Sequence, residues 1–180
     1  RLKNVTSLDL SGWNTRNVTN MNSTFVYSEE ITDLNVSGWQ NDSATDMAAM
    51  FGRLTNLRNF QYAGFTTKNV QNMEFMFSHC HALTSLDLRE FDTSNATHMK
   101  YMFEETTALS SLDVSSFRTH NVVDMSFMFS HWSAVPVLQN LDLSNFDTSN
   151  VVTMESMFQG QTNLINLNIS SFDTRKRYLT

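Results

Sequence analysis

Apolar and polar positions along this chain recur in a fixed phrase. In its fourth occurrence, Leu83-x-x-Leu86-x-Leu88 leads to Phe91, then to the polar run Asp92-Thr93-Ser94-Asn95, then to Ala96, Met99, Met102 and Phe103. Leu86 and Leu88 alternate with Ser85, Asp87 and Arg89, the period-2 pattern of a strand with one buried face. Asp92 to Asn95 read as a turn, because such side chains bond local backbone. Ala96, Met99, Met102 and Phe103 fall at i, i+3, i+6 and i+7, the spacing of one face of a short helix. Asn95 stands where an N-cap is expected.

The phrase occurs seven times, centred on Leu8, Leu34, Phe60, Leu86, Leu112, Leu141 and Leu167. Successive copies are 26 residues apart, except for the step of 29 from Leu112 to Leu141. A constant period in this range marks a solenoid, in which each unit buries its apolar face against its neighbours. All eleven methionines fall in one slot, Met-x-x-Met-Phe, with Thr24 replacing the second Met in the first copy. That placement assigns them to packing between layers, for which an unbranched thioether is suited.

Stacked copies predict a parallel sheet with strands about 4.8 Å apart beside helices packed about 8–10 Å apart, a mismatch that bends the stack. The expected fold is therefore α/β. It is a leucine-rich-repeat solenoid with a curved parallel β-sheet on the concave side, short helices on the convex side, and about seven repeats over residues 1–180. Arg177 interrupts the apolar pattern of the last copy, and Arg1 falls inside a repeat. The chain reads as a fragment of a longer protein.

Composition narrows the function classes. The net charge is −6, without the basic stripe of a nucleic-acid binder. The lone Cys80 excludes an intrachain disulfide and a multi-cysteine metal site. No apolar run approaches the about 18 residues of a membrane span, so no direct membrane insertion is expected of this segment. No nucleophile–base arrangement is apparent. The expectation is a monomeric, non-catalytic chain without cofactor or metal.

The phrase Leu-Asp-Leu-Ser-x-Phe-Asp-Thr-Ser-Asn-Val-x-x-Met-x-x-Met-Phe, carried closely by Leu141 to Phe158, resembles the 26-residue repeat of the BspA-like bacterial surface proteins, a branch of the leucine-rich repeats. The resemblance covers nearly the whole chain. Copies two and three depart from it at Asn41-Asp42-Ser43-Ala44 and at Phe60-Gln61-Tyr62-Ala63. It implies a cell-surface or secreted bacterial protein, anchored by segments outside this chain, that adheres to host mucin, glycan or extracellular-matrix protein. The alternative is a structural spacer that presents another domain. The family carries no catalytic residues to transfer.

Candidate binding residues are sought where the chain stops repeating and along the concave strip. The strip carries Asp87, Arg89, Asp113 and Asp142. Asp87 and Asp113 are expected as neighbours, which raises the pKa of one of them. The slot two residues after the Met-slot Phe reads His79, Glu105 and His131 in the middle copies. A carboxylate between two imidazoles favours their charged form near pH 6.5, so mild acid is expected to strengthen binding to polyanions. The three-residue insertion carries Trp132 and the only proline, Pro136. Each feature also has a purely structural reading: solubilising side chains, exposed histidines, and a Trp and Pro that fill a bulged turn.

Overall fold

A computed structural model describes residues 1–133 and 135–173. The chain winds through six coils and the strand of a seventh. Each coil contributes one short strand: β1 (Ser7–Asp9), β2 (Asp33–Asn35), β3 (Asn59–Gln61), β4 (Ser85–Asp87), β5 (Ser111–Asp113), β6 (Asn140–Asp142) and β7 (Asn166–Asn168). Paired strands are parallel and in register, so Leu8, Leu34 and Phe60 stack, as do Leu86 on Leu112 and Leu141 on Leu167. The residue that closes a strand also turns the chain. Asp9, Asn35, Asp87, Asp113, Asp142 and Asn168 each accept the backbone N–H two residues on.

No helix occurs among the described residues, which corrects the expected helical layer and with it the α/β leucine-rich-repeat class. The chain is a β-solenoid. Where the helix was expected, the backbone runs as consecutive turns whose alternate N–H groups point to the next coil. Met99, Tyr101, Phe103 and Glu105 donate to the carbonyls of Asp124, Ser126, Met128 and Ser130. An α-helix would use those donors on carbonyls four residues back. Between them, the Met102 N–H closes a turn on the Met99 carbonyl, and Glu104 closes one on Tyr101. Tyr101 and Glu105 hold φ of +58° and +55°.

The residue before the methionine starts this turn series. Asn20, Asp46, Asn72 and Asp124 accept the N–H two residues on. Apolar residues at i, i+3 and i+4 face inward in a helix and in this turn series alike, so their spacing does not separate the two. Asn95 is no N-cap. Its side-chain amide donates to the Lys68 carbonyl of the preceding coil at 2.7 Å, and Asn69, Asn121 and Asn150 repeat the bond.

This second ladder runs unbroken through Asn20, Asp46, Asn72, His98, Asp124 and Thr153. The strand ladder breaks twice. One break lies between β3 and β4, where the rings of Phe60 and Tyr62 pack 5.2 Å apart and Tyr62 meets Phe91 at 5.6 Å. The other lies between β5 and β6, at the insertion. With strand-like bonding in place of helices on the second side, the expected source of curvature, helices set wider than strands, is gone.

Two rows of rings fill the interior. Trp39, Phe65 and Phe91 follow one another at 6.3 and 5.9 Å. Phe51, Phe77, Phe103 and Phe129 do so at 5.4, 6.0 and 5.5 Å. Met47, Met50, Met73, Met76, Met99, Met102, Met125 and Met128 are fully buried between them. Buried threonines connect the coils at the polar turn. The Thr93 hydroxyl donates to the Arg118 carbonyl at 3.1 Å and accepts the Arg118 N–H at 2.7 Å; Thr119 does the same with Asp147. Arg177 lies outside the described residues.

Thr93→Val keeps the volume and removes both bonds, which leaves the Arg118 backbone groups unsatisfied. It should cost about 1–3 kcal/mol, read as a lowered Tm, and Thr93→Ser should restore most of it. An unchanged Tm for Thr93→Val contradicts this role.

Candidate functional site

One set of left-handed positions in the turn series places side chains toward the outside of the solenoid. Two residues after the first methionine of each copy, the slot reads Ser23, Ala49, Phe75, Tyr101, Phe127 and Ser156, all at positive φ. Three bulky aromatics stand there in the middle coils. Their rings stack, Phe75 on Tyr101 at 4.6 Å and 14°, and Tyr101 on Phe127 at 4.7 Å and 7°. These separations match the about 4.8 Å spacing of neighbouring strands, so the rings sit directly over one another. Lys100 lays its ammonium 5.1 Å from the Tyr101 ring centre. Trp132, 53% exposed, adds its ring 5.7 Å from Phe127.

Beside this row lies a groove of about 540 Å³. One side is formed by Phe75 and Tyr101, with the small Ser23 and Ala49 continuing their line. The buried floor holds Gly52, Ser78 and Glu104, and the far side holds Tyr27, Arg53 and His79. Arg53 places its guanidinium over the Tyr27 ring, 5.3 Å from its centre. A Cβ on Gly52 would sit 3.0 Å from the Phe75 carbonyl oxygen, so the floor is close-packed backbone.

Burial acts on the ionisable groups of the groove. Burial raises the Glu104 carboxyl above its usual value; bonds from Ser78 and Trp132 oppose this, Glu105 adds to it, and Arg53 opposes it. The Ser78 hydroxyl donates to Glu104 Oε2 at 2.9 Å and meets His79 Nδ1 at 2.8 Å. Burial lowers the His79 pKa, and Arg53 and His81 lower it further against Glu105. The 3.6 Å His79–Glu104 contact therefore joins a neutral imidazole to a carboxyl group at neutral pH.

The expected His–Glu–His arrangement is rearranged. Glu105 is buried and turns its carboxylate to the insertion: Oε1 accepts the N–H groups of Trp132 and Ser133, and Oε2 accepts the Ser133 hydroxyl at 2.6 Å. Burial alone would raise its pKa; the Ser133 and Trp132 donors, with His131, hold it below the usual carboxylate value. His131 is 5% exposed. Burial lowers its pKa although the Phe129 carbonyl and Glu105 act to raise it. Neither imidazole is poised to charge at pH 6.5.

The strand-side candidates lie apart from this groove. Asp87 and Asp113 are register partners, as expected. The expected upward shift is not seen at Asp87: bonds from Arg89 lower its pKa. Arg89 Nε contacts both Asp87 oxygens at 2.9 Å and reaches Asp113 at 3.4 Å. Asp142 faces Asn168 and caps Ser144. Cys80 is fully buried, and burial pushes its thiol up to about 12, so it is no nucleophile. Among the described residues no group of three His, Cys, Asp or Glu side chains is placed to hold a metal ion.

One protein family, described as Mycoplasma protein of unknown function, DUF285, matches residues 2–111, 55–136 and 82–178. The chain belongs to this family. The overlapping matches to DUF285 follow from the 26-residue period, since a repeat aligns in several registers. No curated protein matches the chain.

Sequence reasoning missed the aromatic row, Tyr27, Arg53 and Glu104. The available signal was the filling of one Met-x-x-Met slot by Phe75, Tyr101 and Phe127 where other copies carry Ser or Ala.

A lowered histidine pKa makes its contribution to stability complete above the unfolded value of about 6.5. That contribution is lost as pH falls from there toward the folded value. A proton NMR titration should show His79 and His131 midpoints below 6.5, and a midpoint at or above 6.5 for either contradicts the burial argument.

Proposed function

We propose that this chain is a non-catalytic recognition module of a bacterial cell-surface protein, and that its ligand docks in the aromatic groove. The observation that carries this reading is the outward row of Phe75, Tyr101 and Phe127 at left-handed backbone positions beside Arg53. The fold does not need those rings, since Ser23, Ala49 and Ser156 occupy the same slot elsewhere. Left-handed backbone, which costs an ordinary residue roughly 1–2 kcal/mol, recurs at this slot in all six copies and belongs to the turn; what sets the middle coils apart is the three stacked rings. Tyr and Arg are also among the side chains that dominate binding energy at interfaces.

The expected partners are host mucin, glycan or extracellular-matrix protein, on the resemblance of the repeat to the BspA-like surface proteins; anchoring would come from segments outside this chain. The strand-side strip is the weaker candidate because Arg89 is already engaged by Asp87 and Asp113. The competing reading is a spacer that holds another domain away from the cell. It draws on the uninterrupted second ladder, which suits a stiff rod.

A glycan and matrix-protein array with this chain at pH 5 and pH 7.4 separates the two. A recognition module retains at least one ligand, and Phe75→Ala or Tyr101→Ala weakens it about tenfold or more with little change in Tm. A spacer binds nothing, and that result would overturn the proposal.

A further inference from the structure

The aromatic row ends abruptly. Tyr101 has a ring on both sides, but Phe75 has one only on its Tyr101 side among the described residues. On its other side the slot is Ala49, then Ser23, and the space over these small residues belongs to the groove. Phe75 is accordingly 37% exposed. The coil that carries Ala49 also carries Arg53, whose guanidinium lies on the Tyr27 ring and makes no ion pair among the described residues. One rung of the ladder is missing, and beside the gap stands the Arg53 cation, which shares the groove with the buried Glu104 carboxyl.

We propose that this gap takes an acidic pyranose, stacked on Phe75 as the missing rung with its carboxylate or sulfate toward Arg53. The ring supplies an apolar C–H face to Phe75. Its hydroxyl rim reaches His79 on the far side. An aromatic side chain would also stack on Phe75, but it would cover the Arg53 guanidinium without giving it an anionic partner, and a polar group desolvated without a partner weakens binding. The anionic substituent instead gives Arg53 a charge-assisted bond, stronger than a neutral one. The assignment rests on the recognition reading above and names its ligand chemistry.

The test titrates the chain at pH 7.4 with glucuronic acid, glucose 6-sulfate, glucose and N-acetyltryptophanamide, followed by saturation-transfer NMR. At least one acidic sugar should bind about tenfold or more tighter than glucose, and the two acidic arms decide between carboxylate and sulfate. Arg53→Gln should reduce its affinity to that of glucose. Ala49→Phe supplies the missing ring from the protein itself; Tm should hold or rise, as Phe stands in that slot at Phe75 and Phe127, and binding should be lost. If that variant fails to fold, Phe75→Ala must lose binding with Tm retained. Wild-type affinity in a folded Ala49→Phe protein, equal binding of glucose and both acidic sugars, or tighter binding of the tryptophan amide overturns the assignment. Should the folded Ala49→Phe protein keep the array ligand of the wild type, recognition stands and the rung assignment falls. Should the wild type bind nothing on the array, both fall.

Discussion

The structure depends on one set of hydrogen bonds: alternate backbone N–H groups of the Met-x-x-Met-Phe segment donated to the next coil. They form the only ladder that passes all six coils without a break among the described residues. Each bond contributes about 0.5–1.5 kcal/mol net. The turns that aim the donors outward require left-handed residues, each costing roughly 1–2 kcal/mol. The balance is offset by what the turns permit, which in the four middle coils is two fully buried Met and one buried Phe each. Gly160 shows how tight the geometry is: a Cβ there would lie 2.0 Å from the His131 carbonyl oxygen.

Much of this was legible in the sequence. The period, the strand positions, the parallel register and the burial of the methionines all follow from columns of residues. The helix did not survive because inward-facing spacing at i, i+3 and i+4 is common to a helix and to a turn series. What separated them was polar. Asn20, Asp46, Asn72 and Asp124 stand just before the methionines, where their oxygens cap a turn. A pattern read only for its apolar members passes over that signal. The sequence presents Thr93 only as part of a polar turn, yet Thr93 and Thr119 are buried internal connectors.

The candidate site was less legible, for a related reason. Its rings occupy positions that a helix would send to solvent as unremarkable residues. The histidines drew attention by their chemistry, but burial suppresses their charging. Glu105 uses its carboxylate to hold the insertion, so Trp132 is fixed by its own backbone N–H and extends the aromatic row. The same ladder thus builds the rod and sets a row of rings along it. Membership of the DUF285 family agrees with the repeat.

The account stands or falls on which carbonyl accepts the middle of the turn segment. Long-range HNCO spectroscopy detects couplings across hydrogen bonds and identifies both partners. The account predicts couplings from the Phe77 amide nitrogen to the Met102 carbonyl carbon and from Phe103 to Met128, each 25 residues away. Couplings from Phe77 to Met73 and from Phe103 to Met99, the pattern of an α-helix, would contradict it.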